Sequence, residues 1–339
     1  MPLLSHTTLQ KIIRNLSRSF SSPALFMLIV NLYLKLFRQW LFASLKLSPQ
    51  TMCFRNREGI LDFNYCLPLR SDKAGVSAFL RVKNEEQKII YCLQSIIDAF
   101  DEIIFVDNGS EDSTSELVKA FKQEHDREDK IKIYQYPWKI SRCGSEHFAT
   151  AEDSVHSLAY YYNWTLSHCT FQYICKWDAD MVLRKDAQQT VKIFLKEKLL
   201  KEQSKTWLLA GQTVYRSLDG QYFLSQRLAH ERRLFPLSYL NRYFKEERWE
   251  VLRNSPPLPV DEIPGVTFYE MKFTNEDETS HWSPQTLSSA NNPSDELREE
   301  KERFELIKEG KYQDQRFTLL PSTFLDYSGS PADEVHEES

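Results

Sequence analysis

The chain has little glycine, with 9 glycines in 339 residues. Phosphate-binding loops of the G-x-G-x-x-G and G-x-x-x-x-G-K types need closely spaced glycines, and neither spacing occurs. Cysteines with C-x-x-C or Cys/His ligand spacing are also absent, since the six are scattered: Cys53, Cys66, Cys92, Cys143, Cys169 and Cys175. The sequence therefore predicts neither a structural zinc site nor a disulfide framework, and it favours a reducing compartment.

Acidic residues are absent from the first 57 residues, which carry eight lysines and arginines. The uncharged run from Ser19 to Leu34 is shorter than the roughly 20 residues that a membrane span needs. Residues 10–48 instead resemble a basic amphipathic helix lying on an anionic membrane surface. A helix packed on the protein's own core is the alternative, and no secretory cleavage site is recognisable.

From Gly75 onward the sequence alternates between strand-like and helical patterns. The strand-like runs "VSAFLRV" and "EIIFVD" precede helical "QKIIYCLQSIIDAF" and "SELVKAFKQEH", and "KIKIYQY" and "FQYICKW" predict further strands. This order predicts an α/β fold, with a Rossmann-like, mostly parallel sheet flanked by helices. Ligands of such sheets bind beyond the carboxyl ends of the strands. Polar residues follow three of the strands there: Asn84 and Glu85, Asp107 and Asn108, and Asp178 and Asp180.

Beyond Leu183 the pattern is less regular. "TWLLAGQTVY" and "GVTFYEMKF" predict strands, whereas "FLSQRLAHERRLF" predicts a helix or an irregular segment. From Asp295 the chain has 13 acidic and 6 basic residues. We therefore predict three regions: a basic, helical N-terminal segment (1–71), a catalytic domain (72–285) and an acidic C-terminal extension (286–339), part helical and part disordered.

The stretch "ICKWDADMVL" ends a strand pattern on two carboxylates, Asp178 and Asp180. Residues two apart on an extended segment share a face. Two like charges there repel each other unless a cation or hydrogen-bond donors hold them. The pair by itself indicates a metal site, a phosphate-linked site or a solvated strand end.

Several motifs, taken in their order along the chain, resemble those of a known family. "VSAFLRVKNEEQKIIYCLQSI", "DEIIFVDNGSEDST" and "KWDADMVL", over about Gly75 to Lys185, resemble the opening of a family 2 glycosyltransferase with the GT-A fold. Asn163, in "YYYNWTLSHC", matches an asparagine of that family, but Tyr162 stands where the family usually has an arginine. Arg142 is the alternative residue for the phosphate contact expected of that arginine.

The resemblance implies a metal-dependent, inverting transfer of one sugar from a nucleoside diphosphate sugar, with a UDP-sugar favoured. The acceptor would be a glycan or lipid-linked molecule, and the absence of "QxxRW" favours a single transfer over a processive one. Mn²⁺ or Mg²⁺ would be held by Asp180 and Asp178, with His281 as a late ligand. The implied nucleotide-binding residues are Asn84, Glu85, Asp107, Asn108, Arg142, Asn163 and Asp178.

Inversion also needs a base for the acceptor hydroxyl. The chain has no clean copy of the family's downstream acidic motif, and the candidates are Asp261, Glu262, Glu231 and Glu270. Each of them is equally interpretable as a surface carboxylate. Glu146 and His147 are candidates for the acceptor region.

Two other functions remain open at this point. A HAD-type phosphatase would use Asp178 as its nucleophile, but its motif belongs on the first strand, and two strand–helix units precede "DADMV" here. A membrane-docked scaffold with a degenerate transferase core is the non-catalytic alternative. Nucleic acid is not an expected partner. The sequons at Asn108 and Asn163 fall in the nucleotide region, which favours the cytoplasmic face of a membrane.

Overall fold

The computed structural model describes six stretches of the chain: residues 50–142, 145–199, 205–246, 250–273, 293–312 and 315–325. The expected membrane-contacting segment (10–48) and His281 lie outside these residues. No described helix is both long and apolar enough to cross a membrane.

The strands are numbered along the chain. They are β1 Thr51–Phe54, β2 Tyr65–Pro68, β3 Val76–Val82, β4 Glu102–Asp107, β5 Ile131–Gln135, β6 Tyr173–Lys176, β7 Met181–Leu183, β8 Thr206–Arg216, β9 Tyr222–Pro236, β10 Asn241–Lys245, β11 Glu250–Asn254, β12 Val260–Phe273 and β13 Phe317–Leu320.

The helices are numbered in the same way. They are α1 Ile89–Ile96, α2 Thr114–His125, α3 Ser145–Ala149, α4 Leu158–Leu166, α5 Lys185–Ile193 and α6 Pro293–Lys308, with 3₁₀ turns at Leu61–Phe63 and Ser322–Leu325 and a π-helical stretch at Phe194–Leu199.

The central sheet has the strand order β5-β4-β3-β6-β9-β8-β12-β7, with β13 paired to β9. Strands β5, β4, β3 and β6 are mutually parallel, as the alternating strand–helix pattern predicts. Strands β3 and β4 are buried along almost their whole length because helices cover both faces. The predicted α/β fold is confirmed.

The other half of the sheet is mixed. Strands β8 and β12 are parallel, but β9 runs antiparallel to both β6 and β8. The expectation of a helical or irregular "FLSQRLAHERRLF" is therefore wrong, because this segment lies within β9. Its polar residues fit a helix, but pairing with β6 and β8 overrides that local preference.

Alternating residues of β3 pack into two separate layers. Leu80 and Val82 face a core that α1 closes, while Phe79 faces an aromatic layer built around α4. In that second layer the ring of Phe79 meets Tyr162 edge to face, with centroids 6.1 Å apart. The aromatic layer lies directly beneath the carboxyl end of β3.

The β1–β2 hairpin packs on the aromatic layer, and Tyr65 contacts Tyr160 with ring centroids 5.0 Å apart. Residues 51–68, which precede the expected boundary at residue 72, thus pack on the fold. A disulfide joins Cys53 to Cys66 across this hairpin, and the expectation of reduced cysteines is wrong for the pair. Disulfides are rare in reducing compartments, so this bond counts against the expected compartment.

The helical part of the acidic extension packs against the sheet. Phe304 and Ile307 of α6 are buried in a cluster with Tyr215, Phe223 and Phe317, which belong to β8, β9 and β13. Apolar contact holds this helix on the fold, although its other residues are mainly charged.

Candidate active site

The turn after β4 is built around Asp107. Its carboxylate is 3% exposed and accepts hydrogen bonds from the backbone N of Ser110 (3.1 Å), from Ser110 Oγ (2.5 Å) and from Ser115 Oγ (3.0 Å). Gly109 has φ +71°, a backbone conformation that favours glycine. Asp107 therefore fixes the shape of the loop beyond β4.

Neighbouring loops are tied to this turn. Asn84 has φ +56°, its Oδ1 accepts a hydrogen bond from the backbone N of Glu111 (2.8 Å), and its own backbone N donates to Ser110 Oγ (2.9 Å). The backbone N of Glu85 donates to Thr114 Oγ1 (2.8 Å). The β3 and β4 loops thus form one rigid rim, as the predicted nucleoside pocket requires.

Asn108 joins this rim to the chain that follows β5. Its Nδ2 donates to the carbonyl oxygens of Tyr136 (2.7 Å) and Trp138 (2.8 Å). The structure therefore brings together four of the predicted nucleotide-binding residues: Asn84, Glu85, Asp107 and Asn108.

Asn163, another of the predicted nucleotide-binding residues, is buried and bonded to the backbone of β10. It is 4% exposed, its Nδ2 donates to the carbonyl of Tyr243 (2.8 Å), and its Oδ1 accepts from the backbone N of Tyr243 (2.9 Å). Both amide atoms are used to fasten β10 onto α4. Its structural role is to satisfy the buried backbone of Tyr243.

We expect Asn163→Ala to lower the free energy of unfolding by about 2–4 kcal/mol, because a buried donor and a buried acceptor of Tyr243 lose their partner. Urea denaturation measures this. Asn64→Ala is a comparison variant from the turn directly before β2, where Asn64 Oδ1 accepts a hydrogen bond from Asn56 N (3.0 Å). Unchanged stability together with weakened nucleotide binding in Asn163→Ala would contradict the structural role.

Asp178, just beyond β6, lies among three cations. Its Oδ2 is 2.7 Å from Arg233 Nη1 and 3.5 Å from Lys176 Nζ, and its Oδ1 is 3.8 Å from Arg81 Nη2. Burial by itself would raise the pKa of Asp178, but Lys176, Arg233 and Arg81 together hold it well below its ordinary value. Asp178 is therefore ionised at any physiological pH.

Asp180 pairs with a fourth cation. Its Oδ2 is 2.8 Å from Lys272 Nζ, and its backbone carbonyl accepts from the backbone N of Met271 (2.8 Å). The same Lys272 Nζ is 2.9 Å from Glu270 Oε1. Burial raises the pKa of Glu270 to about 7, with Lys272 opposing the shift and Asp180 adding to it. A carboxylate of this pKa suits proton abstraction near neutral pH.

Of the predicted base candidates, Glu231 joins this group, since its Oε2 is 2.8 Å from Arg233 Nη2. Asp261 and Glu262 do not join it. They pair with Lys205 (3.0 Å) and His230 (2.9 Å) at the opposite end of β12 from Glu270. On the parallel neighbour β8 their partners lie five and six residues before Thr213, the partner of Glu270, so at about 3.3 Å per strand residue they are offset from Glu270 by roughly 17–20 Å.

Arg142, Glu146 and His147 have contacts of their own. Arg142 is exposed, and its backbone N donates to Glu146 Oε2 (3.1 Å). His147 is 1% exposed, and its Nε2 is 2.9 Å from the carbonyl of Glu246. Glu146 also lines an open cavity of about 570 Å³ with Lys139.

The site also contains residues that the sequence reasoning missed. We call Arg81, Lys176, Arg233 and Lys272 the cationic cluster. Lys176 directly precedes "WDAD", so its position in the sequence could have indicated that it lies near the acidic pair. Arg233 and Lys272 lie 55 and 92 residues from their partners Asp178 and Asp180, so no local pattern relates them to the pair.

A divalent cation fits this arrangement only with substrate oxygens as further ligands. Among the described residues, no three His, Cys, Asp or Glu side chains converge on one point. Within that part of the chain Asp180 Oδ1 accepts no hydrogen bond, and its side chain is 12% exposed. Mg²⁺ is commonly held by one or two carboxylates plus substrate phosphates, and the donor set here suits that mode.

Comparison with known proteins agrees with the sequence motifs. Residues 77–140 match the family model "Glycosyl transferase family 2". The match includes Asn84, Glu85, Asp107 and Asn108, and it ends before the acidic pair. Over these residues the match agrees with the resemblance to family 2 glycosyltransferases that the motifs carry. No curated protein sequence matches the chain.

Solved structures show distant likenesses. S. aureus TarS is 13% identical with a TM-score of 0.34, covering 58% of this chain and 36% of that one. Its 1–349 fragment in complex with UDP is 11% identical with a TM-score of 0.33, covering 58% of this chain and 60% of that one. The mannosyltransferase PcManGT from Pyrobaculum calidifontis, in complex with GDP-Man and Mn²⁺, is 19% identical with a TM-score of 0.28, covering 43% and 39%. The chain thus spans between a third and two thirds of the length of these proteins. TM-scores between 0.28 and 0.34 do not support assigning their functions to it.

Proposed function

We propose, from the premise that residues 77–140 are those of a family 2 glycosyltransferase, that the protein transfers one sugar from a nucleoside diphosphate sugar with inversion. The observation that carries the proposal is the position of the acidic pair beside the Asp107 rim, at the carboxyl ends of neighbouring parallel strands. Parallel α/β sheets bind ligands at this edge.

The nucleoside would lie on the rim formed by the β3 and β4 loops. Asn84, Asp107 and Asn108 hold that rim through the bonds described above, so the pocket is organised before the donor arrives. A preformed pocket lowers the ordering cost of binding.

In the proposed transfer, the acceptor oxygen attacks the anomeric carbon while the bond from that carbon to the diphosphate oxygen breaks. The electron pair of that bond leaves with the nucleoside diphosphate, and the proton of the acceptor hydroxyl passes to a carboxylate base. We assign the base to Glu270, because it neighbours the acidic pair through Lys272 and has a pKa of about 7.

Asp180, with Asp178, would hold Mn²⁺ or Mg²⁺. A bound cation of this kind supplies positive charge against the departing diphosphate. Arg233 and Lys272 of the cationic cluster hold the side chains of Asp178 and Asp180 in place through their ion pairs.

The acceptor is proposed to be a glycan or a lipid-linked molecule, and a peripheral position on a membrane would suit the latter. The basic segment 10–48 supports this placement by its composition alone.

Calorimetric titration with UDP, GDP, CDP and inorganic phosphate, with and without Mn²⁺, tests the proposed function. We expect one nucleoside diphosphate to bind at least tenfold more tightly with Mn²⁺ than without it. Asp180→Asn should abolish that Mn²⁺ dependence because one cation ligand is lost.

Asp186→Asn is the matched control, since Asp186 is exposed and pairs only with the nearby Arg184 (2.6 Å) among the described residues. Its Mn²⁺ dependence should equal that of the wild type. Failure of every nucleoside diphosphate to bind the wild-type protein, with any metal, would overturn the proposal in favour of a non-catalytic scaffold.

A further inference from the structure

Arg81 occupies the centre of the candidate site. It is the penultimate residue of β3, which lies between β4 and β6 in the sheet. Its register partner on β4 is Val106, one residue before Asp107, and Phe79 of β3 is level with Lys176 of β6. Arg81 therefore projects between the proposed nucleoside rim and the acidic pair.

The guanidinium group of Arg81 is held firmly in place. Its central carbon is 3.2 Å from the centroid of the Tyr162 ring, and Tyr162 is itself 3% exposed within the aromatic layer. A guanidinium stacked on an aromatic face is attracted by the ring's electrons and loses little further freedom when a ligand binds. The Tyr162 ring thus acts as a platform for Arg81.

The hydrogen-bonding capacity of Arg81 is largely unused. Its only ion pair among the described residues is the 3.8 Å contact with Asp178, too long for a hydrogen bond, and its Nε is buried with no partner there. The side chain is 13% exposed, so part of the fork reaches the surface of the site. A bound oxyanion would accept hydrogen bonds from the exposed end of this fork.

We infer that Arg81 binds the diphosphate of the sugar donor, as a positioning residue between the nucleoside and the acidic pair. This inference rests on the proposed function. A planar fork of N–H donors matches the paired oxygens of a diphosphate better than a point charge does. Arg142, the sequence-based alternative for this contact, is exposed and lies at the beginning of α3.

The test compares binding of the nucleoside diphosphate that the wild type prefers with binding of the corresponding nucleoside, measured by competition. In Arg81→Gln we expect the affinity for the diphosphate to fall by about 10- to 100-fold, as for loss of a charge-assisted bidentate contact, while that for the nucleoside changes less than threefold. Arg81→Lys keeps the charge but loses the fork, so we expect a diphosphate-specific fall of at least fivefold. Arg70→Gln is the matched control, because Arg70 is exposed and pairs with Asp72 (3.2 Å) ahead of β3.

Each outcome is decisive. Equal losses for nucleoside and diphosphate would show that Arg81 only supports the fold, and an unchanged diphosphate affinity would also overturn the inference. A diphosphate-specific loss in Arg142→Gln with none in Arg81→Lys would move the contact to Arg142. If Arg81→Gln does not fold, Arg81→Lys alone decides. Absence of nucleotide binding by the wild type sinks the proposed function, whereas binding that is insensitive to position 81 sinks only this inference.

Discussion

Glu270→Gln is expected to lower kcat by about 10²- to 10⁴-fold, the range that a positioned general base contributes. Glutamine keeps the size and the hydrogen bond to Lys272 but cannot accept the acceptor's proton. Donor binding should change less than threefold. Initial rates with a radiolabelled sugar donor, alongside nucleotide titrations, measure both quantities.

The pH profile identifies the base more specifically. Because Glu270 acts in its deprotonated form, the wild-type kcat/KM should rise with pH. A bound divalent cation favours the ionised carboxylate, so we expect the midpoint of this rise to lie below about 7, the pKa of Glu270 without the cation. The rise should be absent from the residual activity of Glu270→Gln. Glu262→Gln, at the other end of β12, tests the rival candidate: loss of activity there with a normal Glu270→Gln would contradict the assignment.

Arg233→Met is expected to lower the free energy of unfolding by about 1–3 kcal/mol, because charge-assisted hydrogen bonds to two partly exposed carboxylates are lost. Arg233 is 2% exposed and bridges Asp178 (2.7 Å) and Glu231 (2.8 Å). Methionine fills a similar length but leaves both carboxylates without this partner. Urea denaturation monitored by tryptophan fluorescence measures the loss.

Arg232→Met is the matched control, because Arg232 is the exposed neighbour on the same strand. We expect its stability to lie within about 0.5 kcal/mol of the wild type. A similar loss in both variants would show that the effect comes from β9 itself and not from the ion pair.

The same pair predicts a pH dependence. The folded-state pKa of Asp178 lies below its unfolded value, so its contribution to stability is present above about pH 4 and is lost as the pH falls further. In Arg233→Met this part of the acid destabilisation should shrink. An unchanged slope of stability against pH below about 4 would contradict the proposed role of Arg233.

Local sequence patterns predicted the parallel half of the fold well. "VSAFLRV" and "EIIFVD" became the buried strands β3 and β4, and the polar residues after them meet at one edge because parallel strands end together. The acidic pair after β6 was located in the same way. The hydrogen bond from Asn163 to the Tyr243 backbone could not be predicted in this way, because the two residues are 80 positions apart in the sequence.

The sequence by itself determined the α/β character of the chain, the rim around Asp107 and the position of the acidic pair, because each depends on residues adjacent along the chain. Only the tertiary structure decided which side chains surround that pair. Glu231 and Arg233 arrive on β9, and Glu270 and Lys272 arrive on β12, through strand pairing between distant segments. Such pairing is set by partners on other strands and not by local preference, so the polar run in β9 has the local pattern of a helix or an irregular segment although it forms a strand. The same long-range pairing separates Asp261 and Glu262 from the site and brings Glu270 to it.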